Sequence, residues 1–198
     1  LEETPDWLPL FPLGTVLFPE GVLPIRVFEP RYLRLVGECL RLDQPFGICA
    51  IARGQEVGQS AQPRQVGTAA RIMEWDQGDD GMLQIVAMGE RRFRIRSSKA
   101  DPDQLLRARL TWLDEPPVEP LPAPYRPLAE ALHEMIHHLG RPFSQLHPQY
   151  ENANWVGARL TELLPIPLVT RQALLEMDDP LERLKVLQRF LQSERLSP

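Results

Sequence analysis

The chain has 198 residues, 43% apolar and 25% charged, enough for one large or two small folded domains with a real core. A formal net charge of −5 argues against general affinity for nucleic acid or anionic membranes, and no apolar run approaches the roughly 20 residues of a membrane span. Cys39 and Cys49 are the only cysteines and no signal-peptide pattern is read, so a cytoplasmic protein with reduced thiols is expected.

The first informative stretch is Pro9 to Tyr32, apolar but repeatedly broken by proline. Proline has no amide donor and loses a ladder bond in a central strand. Leu8–Phe11, Val16–Phe18 and Val22–Phe28 therefore read as short strands with kinks or edges between them. Pro30 opens a helix, because Tyr32, Leu35, Val36 and Cys39 follow at helical spacing. Phe46–Ala52 is apolar throughout, the pattern of a strand buried on both faces. Gly54–Val66 is polar and reads as a surface loop. Ala70–Trp75 and Met82–Met88 flank Gly78-Asp79-Asp80-Gly81, a hairpin turn. Phe93 and Ile95 alternate with Arg92, Arg94 and Arg96; Leu106, Ala108, Leu110 and Trp112 alternate with Arg107, Arg109 and Thr111. Period-two alternation predicts strands with one wet face, and many short strands with turns suggest a small closed or half-closed barrel.

Glu115–Pro127 is dense in proline and reads as a semi-rigid linker. Beyond it the period becomes helical. Leu128, Leu132, Met135, Ile136 and Leu139 make one stripe ending at Gly140. Trp155, Val156, Leu160, Leu163 and Leu164 make a second, stopped by Pro165. Thr170 is placed to cap a short third helix, and Asp179 a fourth with Pro180 at its first position. The expected organisation is α+β: residues 1–114 a β-rich part, 115–127 a linker, and 128–198 a helical bundle.

Taken in order, several pieces resemble the amino-terminal, substrate-binding domain of Lon proteases. They are Phe18-Pro19-Glu20-Gly21, Leu23-Pro24-Ile25, Phe28-Glu29-Pro30-Arg31-Tyr32, a middle strand Gly67–Ile72, a G-x-x-R-F-x-I hairpin at Gly89–Ile95, and a last helical pair within Gln172–Leu191. The resemblance implies a barrel of the pseudouridine-synthase-associated (PUA-like) type with the Pro30 helix packed on it. It also implies a free-standing recognition module.

Motifs for other chemistry are few. The sequence has no P-loop, no G-x-G-x-x-G and no G-x-S-x-G, and Ser98 and Lys99 are adjacent, which on a strand sends them to opposite faces. His133-Glu134-Met135-Ile136-His137 matches the zinc-peptidase motif H-E-x-x-H. Phe143 stands where an extended form of that motif needs a third ligand, His147 lies four residues further on, and both motif histidines fall opposite the apolar stripe. Arg92, Arg94, Arg96, Arg107 and Arg109 would form a basic stripe if their strands pair, an RNA-contact alternative without exposed aromatics for stacking.

The expectation is a non-enzymatic polypeptide-binding protein without cofactor. It would hold unfolded or tagged client segments, with a protease or chaperone as a further partner. The candidate contacts are Phe18, Pro19, Val22, Leu23, Pro24, Phe28 and Tyr32, which offer apolar patches or an exposed strand edge. Glu29 and Arg31 are assigned to anchoring the helix start.

Overall fold

The computed structural model describes residues 7–55, 61–78 and 82–195. Contacts divide the chain into two units between Asp114 and Glu115.

The first unit holds six strands, β1 (Leu8–Leu13), β2 (Val22–Val27), β3 (Phe46–Arg53), β4 (Gln62–Gln77), β5 (Leu83–Ala100) and β6 (Leu106–Trp112), with helix α1 (Pro30–Leu42) between β2 and β3. They form one mixed sheet in the order β2-β5-β4-β3-β1-β6, and β6 also pairs with β5. Only β1 and β3 run parallel. The ladders thus run in a ring through β5, β4, β3, β1 and β6. β2 hangs on β5, and its other edge carries no described strand.

One apolar cluster takes side chains from every strand of that ring: Leu8 and Leu10, Cys49, Ala69, Phe93 and Ile95, and Ala108. A second joins Tyr32, Leu35, Val36 and Cys39 of α1 to Phe11, Ile25, Phe46, Ile48 and Ile85 of the strands. The spacing that predicts α1 is the spacing that fills this second cluster.

Several local expectations need correction. β1 runs through Pro9 and Pro12 to Leu13, because β6 takes only Leu8 and Pro9 while β3 pairs with Leu10–Leu13. With partners on one side at a time, a missing proline donor can face the unpaired side. Val16–Phe18 is not a strand. These side chains are buried, but the backbone turns, with the Phe18 carbonyl accepting from the Gly21 N–H and the Leu17 carbonyl from the Thr68 hydroxyl. The Gly54–Val66 loop is shorter than expected, since β4 begins at Gln62; residues 56–60 lie outside the described residues, as do 79–81 of the expected turn. Gly89–Ile95 is not a hairpin but the middle of an 18-residue strand. Gly89 sits at a register shift in the β4–β5 ladder, and an added Cβ there would lie 2.1 Å from the Phe18 carbonyl oxygen. The glycine marks a bulge and a close backbone approach.

The second unit holds α2 (Arg126–Leu139), α3 (Ala153–Leu163), α4 (Leu168–Glu176) and α5 (Pro180–Arg195). Within the proline run, the Leu121 N–H donates to the Glu151 carbonyl and the Ala153 N–H to the Glu119 carbonyl, both at 2.8 Å, so this stretch is tied to the start of α3. Asn152 caps α3 by accepting from the Asn154 and Trp155 amides. Asp179 caps α5 as its sequence predicts, accepting from the Leu181 and Glu182 amides. Thr170 is not a cap; α4 starts two residues earlier, after Pro167. Arg183 is buried, yet its guanidinium is met by the carbonyls of Leu174 and Met177 and by Asn154 Oδ1. One α5 side chain thereby satisfies the open C-terminal carbonyls of α4 and ties both helices to α3.

Candidate functional site

The unclaimed edge of β2 is the feature from which the site is built. Gly89 N–H donates to the Gly21 carbonyl at 2.9 Å, and the register continues Val22↔Met88, Leu23↔Ala87 and Pro24↔Val86. Leu23, Ile25 and Val27 therefore turn their backbone groups toward β5, while Val22, Pro24 and Arg26 turn theirs outward. Pro24 sits at a position where its missing N–H costs no bond to β5.

Beside this edge lies a hollow of about 320 Å³, lined by Phe11 and Leu13, by Leu23 to Glu29, and by Thr15 and Tyr32. Each wall has a local cause. Tyr32 stacks on Phe11 with ring centroids 4.0 Å apart and planes 14° from parallel. The Arg31 guanidinium lies 4.8 Å from the Tyr32 ring centroid and 2.9 Å from the Glu29 carboxylate, which fixes the first turn of α1. Phe28 follows the strand at an outward-facing position and is 52% exposed, the largest apolar surface in the hollow. A second hollow, of about 510 Å³, shares Pro24, Ile25 and Arg26 and adds Glu74, Trp75, Asp76, Gln84, Ile85 and Val86.

A charge network holds α1 in place. Arg107 on β6 grips both oxygens of Glu38 at 2.7 and 2.8 Å and gives its Nε–H to Asp101 at 2.9 Å. Arg34 on α1 contacts Asp101 at 2.8 Å and both oxygens of Asp103 at 2.7 Å. The hydrogen bond from Arg107 holds the Glu38 carboxyl below its ordinary range, and that from Arg34 does the same for Asp103. Burial acts to raise the Asp101 carboxyl, but the bonds from Arg34 and Arg107 outweigh it, and it too is lowered.

Of the residues singled out from sequence, Leu23, Pro24, Phe28 and Tyr32 line the first hollow. Phe18 and Val22 are buried, and Pro19 is half-buried; none of the three lines it. Phe11, Leu13, Thr15 and Arg26 also line it and were missed. Phe11 and Leu13 read only as strand residues, since their approach to β2 depends on pairing that short-range pattern does not encode. Phe28 carried a signal: by alternation from the buried Ile25 and Val27 it must face outward.

The arginine stripe does not form. β5 and β6 do pair, but the register shifts between Ile95 and Ser97. Arg92 is 2% exposed and donates to the Asp114 carbonyl, and Arg107 is held by Glu38 and Asp101. Arg96 is engaged by Thr111, and Arg109 lies over the Trp7 ring at 4.9 Å. The zinc alternative also lacks its geometry. His133 and His137 are exposed on α2, where His133 meets the Tyr150 hydroxyl and His137 packs edge-on against His138. Among the described residues no three His, Cys, Asp or Glu side chains converge on a metal-sized site.

The pattern of the ATP-dependent protease La (LON) substrate-binding domain matches residues 7–193. The chain belongs to this family. It is 29% identical to a Lon protease of Cytophaga hutchinsonii over 92% of its length, and 26% identical to Lon protease 2 of Myxococcus xanthus over 98%. It spans only 23% and 24% of those two proteins. A crystal structure of a Lon N-terminal domain protein from Xanthomonas campestris superposes with a TM-score of 0.74 at 37% identity, covering 92% of this chain and 97% of that one. The N-terminal domain of a Mycobacterium avium complex Lon protease shares the fold, with a TM-score of 0.61 at 18% identity over 91% and 95% of the two chains. The matched region of the family is thus its substrate-binding part.

Proposed function

We infer that this chain is a polypeptide-binding module of the Lon substrate-binding type, which holds unfolded or tagged client segments and does no bond-breaking chemistry. In this reading the ring of strands is a small PUA-like barrel with α1 packed on it, and residues 128–198 act as a helical bundle behind a proline-rich linker at 115–127. The work is done in the cytoplasm, alongside a protease or chaperone. The observation that carries the reading is the apolar hollow walled by Leu23, Pro24, Phe28 and Tyr32 beside a strand edge that no described strand covers. Apolar surface beside open backbone donors and acceptors suits an extended chain better than a compact small molecule. The absence of a P-loop anywhere in the 198 residues fits recognition without a motor of its own.

The test is capture of a permanently unfolded protein, such as reduced and carboxymethylated lactalbumin, without nucleotide. Burying the exposed half of a phenylalanine is worth about 1–1.5 kcal/mol, so Phe28→Ala weakens capture by about tenfold. Its unfolding midpoint stays that of the wild type, because the ring is half in water already. Capture no better than that of an unrelated acidic protein of similar size, or undiminished by Phe28→Ala, refutes the reading.

A further inference from the structure

Resting on that reading, the geometry points to a mode of binding and a class of guest: an extended segment adds to β2 as a further strand, with apolar and basic residues alternating along it. Three carbonyls (Val22, Pro24, Arg26) and two N–H groups (Val22, Arg26) face out from the edge, by the parity that the Gly21–Gly89 hydrogen bond fixes. A strand laid against them sends successive side chains to opposite faces of the sheet. β2 is built for such a guest, because a hollow opens beside it twice, and Pro24, Ile25 and Arg26 belong to both.

The two hollows differ in chemistry. The first is apolar, and its one carboxylate, Glu29, is met by Arg31 at 2.9 Å. The second carries two carboxylates, Glu74 and Asp76, against the single guanidinium of Arg26. Register aligns Pro24, Val86 and Glu74 across the three strands, and Arg26, Gln84 and Asp76 beside them, so both carboxylates rise on the face that Pro24 and Arg26 occupy. Charge complementarity therefore selects lysine or arginine on that face, while the side chains between them enter the Phe28 hollow. A uniformly apolar guest leaves the carboxylates unanswered, and an acidic one is repelled.

The experiment uses fluorescent peptides matched to the six residues of β2 and fluorescence anisotropy on the full chain. One peptide alternates apolar and lysine residues, a second has the same composition in two blocks, and a third replaces lysine by glutamate. The alternating basic peptide is expected to bind about tenfold tighter than either of the others, as two partly exposed ion pairs would give. N-methylation of the amides on one parity, those facing β2, abolishes the advantage; methylation of the other parity does not. Glu74→Lys with Asp76→Lys reverses the preference between lysine and glutamate, and both side chains are exposed, so folding survives. Equal binding of the three peptides, or indifference to methylation, overturns this inference while capture of unfolded lactalbumin leaves the broader reading standing. Loss of both peptide and lactalbumin binding overturns the broader reading, and the inference with it. A dimer by sedimentation that peptide cannot displace assigns the edge to a second copy of the chain and also overturns it.

Discussion

Replacing Arg107 by methionine tests whether charge, beyond packing, fixes α1 beside the groove. The methionine keeps most of the aliphatic stem and removes three charge-assisted hydrogen bonds, two to Glu38 and one to Asp101. Breaking a fully buried pair costs about 3–5 kcal/mol and an exposed pair at most about 1. Arg107 and its two partners lie between these limits, with side chains 14% and 19% exposed. Asp101 keeps Arg34 after the substitution, and Glu38 keeps the Gln44 amide at 3.2 Å, so the lower half of the range applies. The expected loss is about 2 kcal/mol at pH 7, read by urea denaturation. The pH dependence gives the sign. Glu38, Asp101 and Asp103 have carboxyls lowered in the folded chain. Their contribution is complete above the unfolded values, about 4, and fades as pH falls through the folded ones. Wild type and variant must therefore converge as the medium is acidified below about pH 4. An equal gap at pH 7 and at acid pH would mean that Arg107 acts through its stem alone, and would refute the electrostatic account.

Gly89→Ala places a Cβ 2.1 Å from the Phe18 carbonyl oxygen, a backbone atom with nowhere to go; a loss of about 3 kcal/mol in urea is expected, and a loss below about 1 would show that the β2 approach is not as tight as described. The thiol of Cys39 is pushed up to about 12 by burial, and that of Cys49, fully enclosed among β-strands, is pushed up further. Both should resist a disulfide reagent at pH 8 until denaturant is added, and rapid native labelling of either would contradict the core assignment.

The fold was legible where one residue type has one job. Pro30 at a helix start, Asp179 before Pro180, and Gly140 after Leu139 mark helix ends through local chemistry, and the structure places ends there. Period-two alternation found β6, and the apolar run found β3. What failed was punctuation with two meanings. Proline in β1 looked like a stop, but pairing on one side at a time lets the strand run through it. Gly89 looked like a turn and is a bulge with a carbonyl pressed against it. Val16–Phe18 has the composition of a strand and the surroundings of a loop, because its carbonyls find the Gly21 amide and the Thr68 hydroxyl instead of a ladder. The alternation that suggested an arginine face was broken by one register shift, which no spacing in the sequence announces.

The groove itself was half legible for a related reason. Leu23, Pro24, Phe28 and Tyr32 are contiguous enough to be read together, whereas Phe11, Leu13, Glu74 and Asp76 reach β2 only through tertiary pairing. That pairing leaves an open strand edge beside apolar surface, an arrangement that invites association between copies. The local sequence answers the hazard in the same residues that shape the site. Pro24 removes one outward donor, and Arg26 puts a charge on the edge, so a second β2 laid antiparallel would meet a gap and a like charge. A guest with an uninterrupted backbone and carboxylate-seeking side chains meets neither obstacle. The features that keep the edge from pairing with itself are thus the ones that leave it open to a different chain.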